Sequence, residues 1–117
     1  MSQEKTVLFA FRGDPLCFVH VLLNSIDLSQ RGQEGKIVLE GEAVTLVAQM
    51  SQPGHFLSAL YQKAKTQGLF FGACRACATK LGALEAIETE EIPLVGDMSG
   101  HPSMGQFVVQ GYQVITV

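Results

Sequence analysis

Three stretches, KTVLFAFR at 5–12, KIVLE at 36–40 and LFFGA at 69–73, are short apolar runs with no polar alternation. A strand with one wet face alternates apolar and polar residues, whereas a strand covered on both faces does not. Helical segments lie between these runs. Asp14-Pro15 is an N-cap followed by a proline at the first helical position, which predicts a helix from Pro15 to Gln30. Its apolar residues, among them Phe18, Val19, Leu22, Leu23 and Ile26, cover more than one face, as in a helix buried on two sides. Further helices are predicted at Glu42–Met50, His55–Thr66, Arg75 to about Leu84 and within 99–110. Short strands are predicted at Ile92–Val95 and Tyr112–Val117. Strands that alternate with helices build βαβ units. The expected fold is a three-layer α/β sandwich with a mostly parallel five-stranded sheet, helices on both faces and right-handed crossovers.

No linker, repeat or low-complexity stretch interrupts residues 1–117, so a single domain is expected. The charged fraction is 16%, below the usual value of about 25%, which points to surface hidden in an oligomer. With a net charge of −3 and scattered Lys and Arg there is no basic stripe to release counterions, so nucleic acid is not an expected partner. No apolar run reaches the roughly 20 residues of a membrane span, and MSQEK runs into VLFAF without a leader-like region. These readings predict a cytoplasmic chain whose three cysteines stay free.

In an open parallel sheet, ligands sit beyond the carboxyl ends of the strands. That rule selects Arg12 and Asp14 after the first strand, Glu42 after the second, Cys74 and Arg75 after the third and Asp97 after the fourth. Cys74 and Cys77 form a Cys-x-x-Cys where a strand gives way to a helix. Four readings compete: metal ligation, dithiol redox chemistry, one reactive thiol, or two small buried side chains. Zinc wants a second ligand pair, and none stands at ligand spacing, so no metal or other cofactor is expected. Dithiol chemistry of the thioredoxin kind wants a proline opposite the thiols, and none falls there. A helix N-terminus and Arg75 favour a low-pKa thiolate at Cys74. Cys77 is expected to face the packed side, and Cys17 to lie in the core. His20 reads as a core or interface residue and His55 as a helix start, while His101, in SGHPSMG, can approach a pocket as a base.

FRGDP at 11–15, VLLNSIDL at 21–28, KIVLEGEAVTLV at 36–47, FGACRACATKLG at 71–82 and GYQVITV at 111–117 together resemble the DsrE/DsrF-like family, which includes the sulfur-relay subunit TusD. The likeness runs through nearly the whole chain in order. It implies homotrimers, homohexamers or mixed hexamers. In the relay members a cysteine ends the third strand and a glycine follows eight positions later, and Cys74 and Gly82 match that spacing. The resemblance therefore implies that Cys74 carries sulfur as a persulfide between donor and acceptor proteins. The chain departs from relay subunits at Cys77, where they have a small apolar residue, and in having only Lys80 as a basic residue before the glycine. The alternatives are a Cys74–Cys77 dithiol oxidoreductase and a non-catalytic oligomer that binds a small molecule.

Overall fold

A computed structural model describes residues 4–117; the reading of the first three residues lies outside them. Five strands, β1 (Lys5–Ala10), β2 (Glu34–Leu39), β3 (Phe70–Cys74), β4 (Leu94–Val95) and β5 (Gln113–Thr116), form one sheet in the order β4-β3-β2-β1-β5. Every pairing is parallel, so the sheet is wholly rather than mostly parallel. Helix α1 (Pro15–Gln30) joins β1 to β2. A 3-10 turn (Gly41–Thr45), α2 (Leu46–Met50) and α3 (Ser58–Thr66) join β2 to β3. Helices α4 (Arg75–Lys80) and α5 (Leu84–Thr89) join β3 to β4, and α6 (Gly105–Val109) leads to β5.

The order of the strands explains the layers. From β1 to β4 the chain steps in one direction, so right-handed crossovers put α1 through α5 on one face. The return from β4 to the far edge reverses direction and carries α6 to the other face. The first face holds the large core, with Phe18, Leu22, Ile37, Leu39, Met50 and Tyr61 fully buried. The second is thin. There Phe107 of α6 meets Phe9, Phe71 and Tyr112 at centroid distances of 5.7, 4.9 and 5.2 Å over Val7 and Val38.

Several expected elements are shorter or divided. The helix expected from Arg75 to Leu84 stops at Lys80, because Gly82 takes φ +71° and ends it; α5 then starts a new direction. The segment Glu42–Met50 begins as a 3-10 turn before α2, and the helix expected from His55 starts at Ser58. Helix α6 occupies only Gly105–Val109 of its expected range. Helix α1 has the expected length, but Leu16 and Leu23 are exposed, so this chain alone does not bury it on two sides. No helix among the described residues is long and apolar enough to cross a membrane.

Candidate functional site

The strand tips converge on Cys74. Between Ile37↔Phe70 and Val38↔Gly72 the pairing of β2 with β3 shifts by one residue. Such an irregularity turns the following side chains over. The register resumes at Leu39↔Ala73, and continuing it sets Cys74 beside Glu40, the residue after β2. Without the shift, Ala73 would stand there. Gly72 also lets β4 come close: a Cβ at that position would collide with Val95 and lie 3.0 Å from the carbonyl oxygen of Pro93.

The turn after β4 completes the group. Met98 and His101 close a small antiparallel bridge, Met98 N–H donating to the His101 carbonyl at 2.8 Å. Gly100 (φ +92°) packs on Ala76, and its carbonyl accepts from the Ala76 N–H at 2.8 Å. That contact fixes the turn to the start of α4 and brings the His101 ring over the thiol. Cys74 Sγ lies 3.1 Å from His101 Nδ1, accepts from the Cys77 N–H at 3.4 Å, and donates to the Gly100 carbonyl at 3.7 Å. His101 Nδ1 is 3.8 Å from Glu40 Oε1. One ligand-type atom from each of Glu40, Cys74, Cys77 and His101 lies within 4.8 Å of the other three.

Burial sets the electrostatics. Cys74 has no exposed surface, and this burial pushes its thiol up to about 12. The Cys77 N–H works against that rise, while the Cys77 thiol and the Glu40 carboxylate add to it. The expected low-pKa thiolate is therefore corrected: desolvation outweighs the helix start, and Arg75 is exposed. Glu40 is also shifted upward by burial, opposed by His101 and Cys74. The sulfur and the carboxylate both address Nδ1 of His101. A linear proton relay would instead place them on opposite ring nitrogens. The arrangement can pass a proton between Cys74 and His101, and it can close around one atom at its centre.

Of the residues expected at the site, Cys74, Cys77 and His101 come together. Cys77 is half-buried with its sulfur toward Cys74 as well as packed against the core, so it does not simply turn to the packed side. Arg12 lies 3.9 Å from Cys17, Asp14 caps α1 through the Leu16 N–H at 2.9 Å, and Glu42 and Asp97 are exposed; none of the four belongs to the cluster. Cys17 is half-buried rather than in the core, and His20 is exposed. His55 lies in the turn before α3 rather than at its start, where its ring accepts from the Leu57 N–H at 3.1 Å.

Glu40 escaped the sequence reading. Its signal is a carboxylate directly after the unbroken run Ile37–Leu39, all three of which are buried.

No family model matches the chain. Uncharacterized protein MJ0733 of Methanocaldococcus jannaschii is 34% identical over 97 residues, spanning 83% of this chain and 77% of that protein. The chain belongs to the same family as MJ0733. An uncharacterized protein of Archaeoglobus fulgidus is 35% identical over 46 residues, 39% of this chain and 75% of its own length. In structure the chain is similar to a conserved protein of unknown function, BT1422 from Bacteroides thetaiotaomicron. The TM-score is 0.71 at 16% identity, over 97% of this chain and 95% of that one, and the likeness is one of fold.

Proposed function

We propose that this member of the MJ0733 family is a DsrE-like, cytoplasmic sulfur-handling protein in which Cys74 takes up sulfur as a persulfide. The observation that carries the reading is the Cys74–His101 contact of 3.1 Å at the tip of the third strand. His101 Nδ1 receives the thiol proton as the thiolate attacks the outer sulfur of a donor persulfide. The donor S–S bond breaks, its electron pair leaves on the donor thiolate, and His101 returns the proton there. Cys74 is left as Cys–S–SH, a reversible cap. His101, half-exposed, is the side from which a donor approaches.

A second reading rests on Cys77, whose sulfur lies within 4.8 Å of Cys74. Its attack on the inner sulfur of the persulfide expels HS− and leaves a disulfide, which an external thiol must then reduce.

The assembly we propose is a homotrimer or homohexamer. An uncovered cavity of about 410 Å³ lies between α1 and β5, lined by Thr6, Leu8, His20, Val21, Asn24 and Ile115. Ile115 and Val117 are exposed along this flank, and a second copy of the chain covers them.

Intact-mass analysis of chelator-treated protein after exposure to a small persulfide donor tests the chemistry. The expected result is a gain of one sulfur mapped to Cys74, lost in Cys74→Ser and kept in Cys77→Ala. Sulfur on Cys77 alone, or no gain, defeats the carrier reading. A Cys74–Cys77 bridge formed at the poise of cellular oxidoreductases promotes the dithiol reading.

A further inference from the structure

The same four side chains meet in a way that sulfur transfer does not require. Glu40 follows β2, Cys74 ends β3, Cys77 lies one helical turn further on, and His101 follows β4. We propose that Glu40, Cys74, Cys77 and His101 form a closed, four-coordinate site for a zinc-like divalent cation.

The geometry is the argument. Zinc bonds of about 2.3 Å to sulfur and 2.0–2.2 Å to nitrogen or oxygen set tetrahedral ligand-to-ligand edges of roughly 3.3–3.8 Å. Two edges lie close to that size: 3.1 Å from Cys74 Sγ to His101 Nδ1, slightly below the range, and 3.8 Å from His101 Nδ1 to Glu40 Oε1, at its upper end. All edges are within 4.8 Å, so side-chain adjustments of roughly 1 Å or less complete the shell. Because one nitrogen faces both the sulfur and the carboxylate, the three donors surround a point rather than form a line.

The donor set selects the ion. Two thiolates exclude magnesium and calcium, which take oxygen, and the mix of sulfur, imidazole and carboxylate suits zinc. The Cys77 N–H pointing at Cys74 Sγ is the kind of outer-shell hydrogen bond that holds a ligating thiolate in place. A zinc search by sequence looks for paired ligands at short spacing. Here only the Cys pair is local, and parallel strands bring in the other two.

Binding replaces both thiol protons with bonds to the metal and releases the protons to buffer, with no change of oxidation state. In the loaded site each thiolate shares one lone pair with the metal, which lowers its reactivity toward a sulfur donor. This inference does not depend on the sulfur reading, and the two fail separately.

The test is a Co2+ titration of the full, reduced, chelator-treated protein, followed by zinc competition against a chromophoric chelator. Expected are a single equivalent of Co2+ per chain, sulfur-to-cobalt charge-transfer absorption and the intense visible bands of tetrahedral cobalt. Cys77→Ser lowers the charge-transfer intensity, and His101→Asn and Glu40→Gln change the visible bands while retaining it. Each variant weakens zinc binding by more than about tenfold, the scale on which even outer-shell ligand partners act. Circular dichroism confirms that the variants are folded, and the shape-conserving Glu40→Gln serves as the second probe if another is not. A weak octahedral spectrum, no binding, or folded variants that bind like the parent chain overturn the site. Persulfide loading measured with and without zinc reports on the sulfur reading independently.

Discussion

The cluster at the tips of β2, β3 and β4 and the cavity between α1 and β5 are opposites. The cluster has four ligand-type groups, each offering an atom within 4.8 Å of the others, and none of the four lines the cavity. The cavity has about 410 Å³, and its lining offers apolar side chains and few ionisable ones. Volume and chemistry are thus separated in this fold. Each region can therefore receive something different: the cluster suits a single atom, sulfur or metal, and the flank suits a protein surface.

The separation is most sharply tested by Ile115→Glu. A carboxylate in the proposed interface costs several kcal/mol unless it is paired, so the proposed assembly is expected to fall to monomers by light scattering, with sulfur loading on Cys74 unchanged. Loss of both properties together would mean that the two regions are coupled.

The next effect concerns the cluster alone. With the Cys74 thiol near 12, its thiolate fraction at pH 8 is on the order of 10⁻⁴. Alkylation of Cys74 in metal-free protein, followed by peptide mass, is expected to be the slowest of the three cysteines at pH 8. It should rise about tenfold per pH unit toward pH 12 for as long as the chain stays folded. A rate already level near neutral pH would mean that the proton leaves Cys74 easily and the burial argument fails.

Gly72→Ala has a smaller, structural effect. Its methyl group meets Val95 and the Pro93 carbonyl, which pries β4 from β3 at a cost of about 1–3 kcal/mol in denaturant unfolding. Since β4 leads to His101, the proposed zinc or sulfur uptake should weaken while the proposed assembly persists.

The smallest effect lies away from both regions. Glu90 accepts from the Tyr61 hydroxyl at 2.6 Å and from Lys65 at 3.0 Å. The Tyr61 bond, then Lys65, hold its carboxyl below the usual value of 4.5 against the opposing effect of burial. Stability from this pair is present above pH 4.5 and is lost as pH falls through the lowered folded value. Tyr61→Phe should remove about 1 kcal/mol at neutral pH and flatten the acid limb of the stability profile.

The apolar runs and the Asp14-Pro15 start made the strands and α1 legible, because burial on two faces and capping leave local marks. The strand-end rule found Cys74, and SGHPSMG drew attention to His101. What stayed hidden depended on register. The one-residue shift of β3 against β2 decides that Cys74 stands beside Glu40, and a lone chain carries no sign of it. Glu42 was preferred for the opposite reason: it sits in the turn where a site residue is looked for, yet it points to solvent. The break at Gly82 was misread because a glycine can end a helix or merely weaken it.

Neighbouring strands of a parallel sheet are far apart in sequence, so each strand tip arrives by its own loop closure. A chain leaving the ribosome carries Cys74 and Cys77 as ordinary thiols, open to any oxidant or alkylating agent. Only when β2, β3 and β4 have all paired does Cys74 disappear from the surface and His101 take its place over it. Reactivity at Cys74 is therefore a clock of folding: pulsed labelling of that one sulfur during refolding dates the moment the last of these three strands docks.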